Sequence, residues 1–185
     1  MINKKITCSG HKINLRSLRI EDHQILKNWC EEENNLDYFP NSNFLHEIKS
    51  KTWILSKIND KNGIYMVIIC RKENKIIGMT ILENIDLNNK NASWGIYISN
   101  NQYHKFDYCF EASQHIINYA FKKLNLNKIY LNTLASNKRG REFHKQLGFT
   151  EEAVFNNQIL VDGYYTNLIW SSLEKKNWKL MLIQK

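Results

Sequence analysis

Apolar and polar residues alternate with a period of two in some segments of the chain and recur at helical spacing in others. The first pattern predicts strands and the second predicts helices. Strands are predicted at residues 13–18, 65–70, 76–85, 92–99, 128–134, 152–160 and 164–173, and helices from about His23 and at 45–58, 111–124 and 139–147. The order is strand, two helices, three antiparallel strands, helix, strand, helix and two strands. It predicts an α/β fold with a mixed, mostly antiparallel sheet flanked by helices.

Three of the helices have candidate apolar faces, and two of the turns have residues suited to them. The faces consist of Ile25, Leu26 and Trp29; of Ile48, Trp53, Ile54 and Leu55; and of Ala112, Ile116, Tyr119, Ala120 and Leu124. Asn74 suits a positive φ in the turn at 71–75, and Gly163 belongs to the turn of the last hairpin. We expect the polar segment at 86–91 to connect two further strands.

Length and composition indicate one domain. The chain has 185 residues, of which 43% are hydrophobic, and this is enough for one substantial core. We therefore expect a single domain over residues 1–185. No apolar run reaches the roughly 20 residues that span a bilayer, and the first residues lack the apolar region of a signal peptide. These features predict a soluble, cytoplasmic protein.

Charge and cysteine content narrow the function only slightly. The net charge is +8, but no run of five Lys or Arg residues marks a nucleic-acid surface. A polyanionic small ligand would account for this charge equally well. The four cysteines, Cys8, Cys30, Cys70 and Cys109, have neither a paired spacing nor nearby histidines, so we expect reduced thiols and no metal site.

Several ordered blocks of sequence carry a family resemblance. They are IIGMTILENID from Ile76, ASWGIYIS from Ala92, NYAFKKLNLNKIYL from Asn118, NKRGREFHKQLGF from Asn137 and DGYYTNLIWSSL from Asp162. Together they resemble the GNAT superfamily of N-acetyltransferases, and most of all its RimJ/RimL-like branch. The resemblance extends from about Ile13 to Trp178. It implies acetyl-CoA as cosubstrate and a splayed strand pair that forms the cofactor cleft.

In that family the pantetheine arm lies between the splayed strands and bonds to backbone groups. By resemblance these groups belong to Tyr97, Ile98 and Ser99. The pyrophosphate lies at a helix amino terminus, here the predicted helix at 111–124, where free amides and the helix dipole favour anions. The corresponding loop residues are His104, Lys105, Phe106, Asp107, Tyr108 and Cys109.

This loop departs from the family pattern because it contains no glycine. Family members place glycines at the positions of Lys105 and Asp107. A side chain at a positive φ costs about 1–2 kcal/mol, and Asp107 adds a negative charge, which Lys105 partly offsets. The loop therefore either takes another conformation that still binds CoA or binds it weakly.

Three residues near the predicted helix at 139–147 also acquire expected roles through the resemblance. The amide of Asn137 holds the pantetheine arm, although an Asn here also suits a helix cap. Arg139 and Arg141 neutralise cofactor phosphates, or they form a solvated basic face.

Acetyl transfer needs a neutral amine, a stabilised oxyanion near Ile98 and a proton for the departing thiolate. His144 stands where many family members have a catalytic Tyr, so it is the candidate acid; alternatively it packs beside the thioester. Asp86 is the preferred base and Glu83 is the second candidate. Asp86 also suits a simpler role as the cap of the Asn-rich turn.

The acceptor pocket is predicted between the loop at 31–40 and the last hairpin. Glu32, Tyr38, Phe39, Ser93 and Tyr164 are its candidate residues, because carboxylates attract amines and aromatic rings stack on cations.

Two functional hypotheses follow. The first is an acetyl-CoA-dependent N-acetyltransferase that acts directly, without an acyl-enzyme, on a primary amine of a small metabolite (amino sugar, polyamine, amino acid or antibiotic) or on a protein amino terminus. The second is a GNAT-fold binding or regulatory protein with a degenerate pyrophosphate loop. We expect a monomer or homodimer with no nucleic-acid or membrane partner.

Overall fold

The computed structural model describes residues 6–31, 50–99, 101–103, 106–161 and 163–178. Within these ranges the strands are β1 (Thr7–Ser9), β2 (Ile13–Ser17), β3 (Ile64–Cys70), β4 (Lys75–Asp86), β5 (Asn91–Ile98), β6 (Lys128–Leu134), β7 (Thr150–Val161) and β8 (Tyr164–Glu174). The helices are α1 (His23–Glu31), α2 (Lys51–Asn59), α3 (Phe106–Asn118) and α4 (Lys138–Gln146). A π-helical turn, Tyr119–Lys123, continues α3.

All eight strands belong to one sheet in the order β1-β2-β3-β4-β5-β6-β8-β7. The pairs are antiparallel except β5 with β6, which is parallel. The predicted α/β fold with a mostly antiparallel sheet is therefore confirmed. The short β1 had not been predicted, because three residues are too few to establish a period.

Helices cover both faces of the sheet, and each face has its own apolar core. One core joins β2, β3 and β5 to α3 through residues such as Leu15, Trp94 and Ile116. The other packs α1 and α2 against the opposite face, with Leu26 and Ile54 completely buried. Burial of each such side chain contributes about 1.5–3 kcal/mol relative to exposure. Nearly all of β3 is buried because it lies between the two cores.

Several local expectations are confirmed and others are wrong. Asn74 has the expected positive φ of 50°, and Gly163 has a φ of 83°. The expected apolar faces of the first two helices are partly wrong, because Ile25 and Leu55 are exposed by 36% and 48%. Ile48 lies outside the described residues.

The largest error in the predicted elements concerns α3. This helix begins at Phe106, five residues before the expected start at Glu111. The apolar period becomes regular only from Ala112, because the first turn of α3 carries aromatic and polar side chains. Part of the segment expected to be a loop is therefore helical.

Candidate active site

Strands β5 and β6 stay paired over only part of their length and then separate. These parallel strands pair only at Asn91–Lys128, Ala92–Ile129 and Ser93–Tyr130. Beyond Ser93, residues 94–98 of β5 and 131–134 of β6 have no register with each other, although β6 remains paired with β8 to Leu134. We call the space between these segments the wedge; its narrow end is at Ser93 and its open end is at Ile98.

The backbone directions in β5 show which edge faces the wedge. Ser99 donates its amide to the carbonyl of Ile77 at 2.9 Å, so its backbone is directed towards β4. Backbone groups alternate between the two edges of a strand. The peptide groups of Ile98 are consequently directed towards the wedge, whereas those of Tyr97 and Ser99 are directed towards β4. Of the three residues expected to offer backbone groups to pantetheine, only Ile98 has this orientation.

Helix α3 begins just beyond the open end of the wedge. Its first-turn amides belong to the segment from Phe106 to Cys109, where the pyrophosphate was expected. Asp107 is within the helix and does not have a positive φ. The expected backbone strain from a missing glycine is therefore wrong for Asp107. His104 and Lys105 lie outside the described residues.

The charge of Asp107 is balanced by a residue that the sequence did not single out. Lys12, in the turn between β1 and β2, forms an ion pair with the Asp107 carboxylate. This hydrogen bond raises the pKa of Lys12. Lys12 thus offsets the charge of Asp107, whereas the compensation expected of Lys105 stays a prediction.

Tyr108 and Cys109 occupy the rest of this first turn. The ring of Tyr108 packs edge-on against Tyr103, with centroids 6.1 Å apart. Burial raises the pKa of the Cys109 thiol to about 11, and the nearby positive charge of Arg139 opposes this shift only in part. The thiol is consequently protonated at neutral pH, so Cys109 lacks the thiolate that an acyl-enzyme route requires.

Asn137 caps helix α4. Its side-chain oxygen Oδ1 accepts a hydrogen bond from the amide of Gly140 at 2.8 Å. A Cβ atom at position 140 would lie 2.8 Å from Asn137 Nδ2, so the glycine permits this close approach. The capping alternative is confirmed, and the cap leaves Nδ2 as a donor that is not used in it.

The two arginines of α4 differ in their surroundings. Arg141 forms a bidentate ion pair with Glu151 at 2.7 and 2.9 Å and also donates to the carbonyl of Ala135 at 3.2 Å. It therefore ties α4 to the start of β7. Arg139 is exposed, and its positive charge acts to lower the pKa of Cys109 in the first turn of α3. Arg139 is the better placed of the two for an anion at that helix terminus.

His144 lies at the wedge, among aromatic rings and between the two diverging strands. Its Nδ1 is 3.3 Å from Thr133 Oγ1 on β6, and its ring meets that of Trp94 on β5 edge-on at 5.9 Å. Trp94 in turn stacks on Phe149 at 5.4 Å. Desolvation lowers the pKa of His144 to about 4. The imidazole is therefore neutral at pH 7.

The two candidate bases are in different positions relative to the wedge. The Asp86 carboxylate accepts hydrogen bonds from the amides of Asn88 and Asn89, both at 2.8 Å, and from the Asn89 side chain at 2.7 Å. The hydrogen bonds from Asn89, followed by the one from Asn88, lower its pKa. These contacts are those of a turn cap, which supports the simpler of its two expected roles.

Glu83 lies nearer the narrow end of the wedge. It is opposite Ser93, the last residue of β5 that pairs with β6. Its Oε1 accepts from Tyr65 Oη at 2.7 Å and from Lys57 Nζ at 3.1 Å. Neither Tyr65 nor Lys57 was identified from the sequence, because both belong to elements distant in the chain and nothing in their local pattern marks a site.

The remaining candidates for the acceptor pocket are spread over the structure or fall outside its described part. Ser93 is directly beside Glu83 at the narrow end. Tyr164, at the start of β8, is 79% exposed and extends beyond the end of β6, because Leu134 pairs with Leu168. Glu32, Tyr38 and Phe39 lie outside the described residues. Among residues that are described, no group of three or more His, Cys, Asp or Glu side chains is placed to hold a metal ion.

No helix in the described ranges combines the length and apolar character that crossing a bilayer requires. The fold is an α/β fold with a splayed parallel strand pair, and the sequence comparisons identify the class of protein to which it belongs. The family model described as acetyltransferase (GNAT) domain matches residues 12–150. The chain belongs to this GNAT acetyltransferase family.

Named relatives agree with this assignment. The chain is 28% identical over 120 residues to the putative ribosomal N-acetyltransferase YdaF of Bacillus subtilis (strain 168), covering 65% of this chain and 64% of that protein. It is 26% identical over 171 residues to the spermidine N(1)-acetyltransferase of Escherichia coli (strain K12), covering 87% and 85%. The predicted family and the predicted enzyme class, N-acetyltransferase, are confirmed at this level.

A solved structure agrees with the fold. The spermidine N-acetyltransferase of Vibrio cholerae, in complex with CoA and spermine, superimposes with a TM-score of 0.76 at 20% identity. The match covers 91% of this chain and 98% of that one. At this identity the likeness shows the shared fold.

Proposed function

We propose that the protein transfers an acetyl group from acetyl-CoA to a primary amine of a small metabolite or of a protein amino terminus. The observation that carries this proposal is the wedge. Two parallel strands that pair for three residues and then separate leave an extended space in the sheet. An extended ligand arm with amide groups fits such a space as an added strand would.

The surroundings of the wedge suit the remainder of CoA. The amino terminus of α3 lies beyond its open end, and helix amides together with the dipole favour phosphate oxygens there. Arg139 adds a positive charge nearby, while Lys12 neutralises Asp107. An Asp in the first turn of a helix is itself favourable for the helix. These contacts support anion binding at this turn despite the absence of glycine in its sequence.

The chemistry is a direct transfer. A carboxylate first takes a proton from the substrate ammonium, directly or through water. The neutral amine then attacks the thioester carbon, the C–N bond forms and the C–S bond breaks. The proton that the nitrogen loses as the amide forms passes to the departing thiolate, directly or through water. Glu83 is the better candidate for the carboxylate because it lies opposite Ser93 at the narrow end, whereas Asp86 is engaged in its turn. The protonated Cys109 thiol supports a route without an acyl-enzyme.

His144 had two expected roles, as the acid for the thiolate and as a ring that packs beside the thioester. The packing role has the stronger support. Only an imidazolium is an effective acid for the thiolate, and a pKa of about 4 leaves roughly one molecule in a thousand charged at pH 7. We propose that His144 packs beside the thioester as a neutral ring that connects β5 and β6 through Trp94 and Thr133.

The acceptor is a primary amine, and two relatives illustrate the range. One is named for spermidine and one for ribosomal protein. Both kinds of acceptor carry an ammonium group that must lose a proton before attack, and both are compatible with a carboxylate at the narrow end.

The test has two stages. Calorimetric titration with acetyl-CoA is expected to show micromolar binding; no heat at millimolar ligand would instead indicate a GNAT-fold protein that has lost its cosubstrate. An amine panel, assayed by mass spectrometry for the gain of an acetyl group, then identifies the acceptor class.

Matched variants assign the base. Glu83→Gln is expected to lower kcat by about 10²-fold or more, in the range of general-base catalysis. Asp86→Asn keeps an oxygen acceptor for the turn and should alter kcat only a few-fold. Equal losses in the two variants, or none in either, would remove Glu83 from the role.

A further inference from the structure

One lysine ammonium in this protein is held by two aromatic rings and a carboxylate. Lys57 Nζ lies 5.6 Å from the ring centroid of Trp53 and 5.2 Å from that of Tyr65. It is also 3.1 Å from Glu83 Oε1. Rings and carboxylates of this kind attract cations through the ring quadrupole and by direct charge. We call Trp53, Tyr65, Glu83 and the adjacent Asp60 the ammonium cage.

The hydroxyl of Tyr65 contacts both carboxylates of the cage. Tyr65 Oη lies 2.7 Å from Glu83 Oε1 and 3.0 Å from Asp60 Oδ2. Burial, followed by its contact with Glu83, raises the pKa of Tyr65 well above the ordinary value, so its hydroxyl remains a donor. One hydroxyl proton can serve only one of the two carboxylates at a time. The cage thus contains two carboxylates at one hydroxyl, and Glu83 is the one that contacts the Lys57 ammonium.

One member of the cage, Glu83, lies next to the narrow end of the wedge. Tyr65 pairs with Ile81 on β4, two residues before Glu83, and Glu83 pairs with Ser93 on β5. The side chains of directly opposed residues on one face lie about 5 Å apart at Cβ. Trp53 and Tyr65 belong to the core on the α1 and α2 side, so the cage is on the face opposite α3.

The Lys57 ammonium is also able to leave. The side chains of Lys57 and Glu83 are 26% and 32% exposed, so neither is sealed in the core. A competing cation that reaches the cage from solvent gains the same carboxylate and ring contacts that the Lys57 ammonium gives up. Displacing the ammonium does not require unfolding of α2.

We propose that the ammonium cage is the binding site for the acceptor's primary ammonium, and that the side chain of Lys57 occupies it until an acceptor arrives. The inference that the bound ammonium belongs to an acetyl acceptor rests on the function proposed above. The inference that the cage binds an ammonium ion is independent of that function, because such binding needs no acetyl-CoA.

The test is therefore a binding experiment without cosubstrate. The probe is n-butylammonium, and the neutral isostere 1-butanol serves as its control. Lys57→Met keeps most of the length and the apolar stem of the side chain but removes its competing positive charge from the cage, so we expect it to bind n-butylammonium roughly tenfold more tightly than the unmodified protein, as measured by calorimetry or NMR titration. Lys57→Arg retains the charge and should bind like the unmodified protein.

Two further variants make the result specific. Lys128→Met removes a comparable ion pair, which Lys128 forms with Glu152 at 2.8 Å, and should leave butylammonium affinity unchanged. Adding Glu83→Gln to Lys57→Met should abolish the gain. Circular dichroism and thermal melting monitor folding in every variant.

Equal affinity of Lys57→Met and the unmodified protein, or a gain that extends to 1-butanol, would overturn the proposal. Failure of acetyl transfer in the unmodified protein is a separate result, because it concerns the wedge and leaves the binding comparison valid. If both proposals hold, Lys57→Met should lower KM for the amine.

Discussion

His144 shows how a single side chain at the wedge responds to its surroundings. Its ring is packed against Trp94 and Phe149 and has Thr133 as its polar neighbour. The apolar rings favour the neutral imidazole over the charged one, which is the physical reason for its low pKa. The same environment that suits a thioester therefore disfavours an imidazolium.

This pKa has a measurable effect on stability. The folded-state pKa of about 4 is below the unfolded value near 6.5, so the unfolded chain binds the proton more readily. The contribution of His144 is complete above pH 6.5 and is lost as the pH falls from 6.5 towards 4. We expect the free energy of unfolding to fall between pH 7 and pH 4.5, by about 2–3 kcal/mol from this group alone.

The pH effect can be assigned with two variants measured by urea denaturation. His144→Phe keeps a ring but cannot titrate, so it should remove this part of the fall. Phe149→Leu disturbs the same cluster and should lower stability similarly at every pH. A His144→Phe protein with the original pH profile would contradict the assignment.

Asn137 illustrates a residue with two separable roles. Its Oδ1 caps α4 through Gly140, whereas the family resemblance assigns its amide group to the pantetheine arm. Asn137→Asp keeps the oxygen and loses the donor; Asn137→Ala loses both.

We expect Asn137→Ala to cost about 1 kcal/mol of stability and Asn137→Asp almost none. Both should weaken acetyl-CoA binding. Denaturation and calorimetric titration measure the two effects independently, and undiminished acetyl-CoA affinity in Asn137→Asp would restrict this residue to capping.

At the scale of elements, the two ends of α4 are both fixed by specific contacts. At the carboxyl-terminal end of α4, the amide of Phe149 donates to the carbonyl of His144 at 3.0 Å, and the amide of Gly148 donates to the carbonyl of Lys145 at 2.9 Å. Gly148 has a φ of 89°, as required where the chain reverses after a helix. This ending directs Phe149 into the ring cluster around His144.

Gly148→Ala should consequently lower the free energy of unfolding by about 1–2 kcal/mol, because a Cβ atom disfavours positive φ. Gly148→Asn should cost less, since Asn tolerates this conformation better. Gly95→Ala provides a control in a strand: its Cβ would lie 3.3 Å from the Ile81 side chain, and its φ is not positive. Both variants are compared in the same urea titration. If Gly148→Ala lowers the free energy of unfolding no more than Gly95→Ala does, this account is contradicted.

At the scale of the molecule, the divergence of β5 and β6 arises from what each strand does on its other side. β5 stays paired with β4, and β6 stays paired with β8, so neither can follow the other. The elements around the wedge, α3 and α4, pack on one face, and the ammonium cage lies on the other. We therefore expect cosubstrate and acceptor to approach from different sides of the sheet.

This arrangement predicts where acetyl-CoA stabilises the protein. At about 100 times Kd, a ligand adds about 2.7 kcal/mol to the folded state, which thermal melting detects readily. Hydrogen exchange should slow in residues 94–98 and in the first turn of α3.

Fragments of acetyl-CoA should each reproduce one part of this protection from hydrogen exchange. Pantetheine should protect only the strand segment, and 3′-phospho-ADP only the helix terminus. An unchanged melting temperature at millimolar acetyl-CoA, or protection confined to the β7–β8 hairpin, would contradict this placement.

The sequence by itself determined the order of the elements apart from β1, the family and the small set of candidate residues. Periodicity is a local property, so it identified β6 at Lys128–Leu134 correctly, and the NKRGREFHKQLGF block carried both the cap and the glycine ending of α4. The start of α3 was missed because its first turn lacks an apolar period.

Only the tertiary structure decided how these residues meet. Asp86 and Glu83 are equivalent in the sequence as carboxylates of one strand, but pairing places Glu83 at the wedge and Asp86 in a turn. Lys57 and Tyr65 reach Glu83 from separate elements, and burial sets the pKa of His144. Register and burial depend on contacts between distant parts of the chain, and no local pattern encodes them.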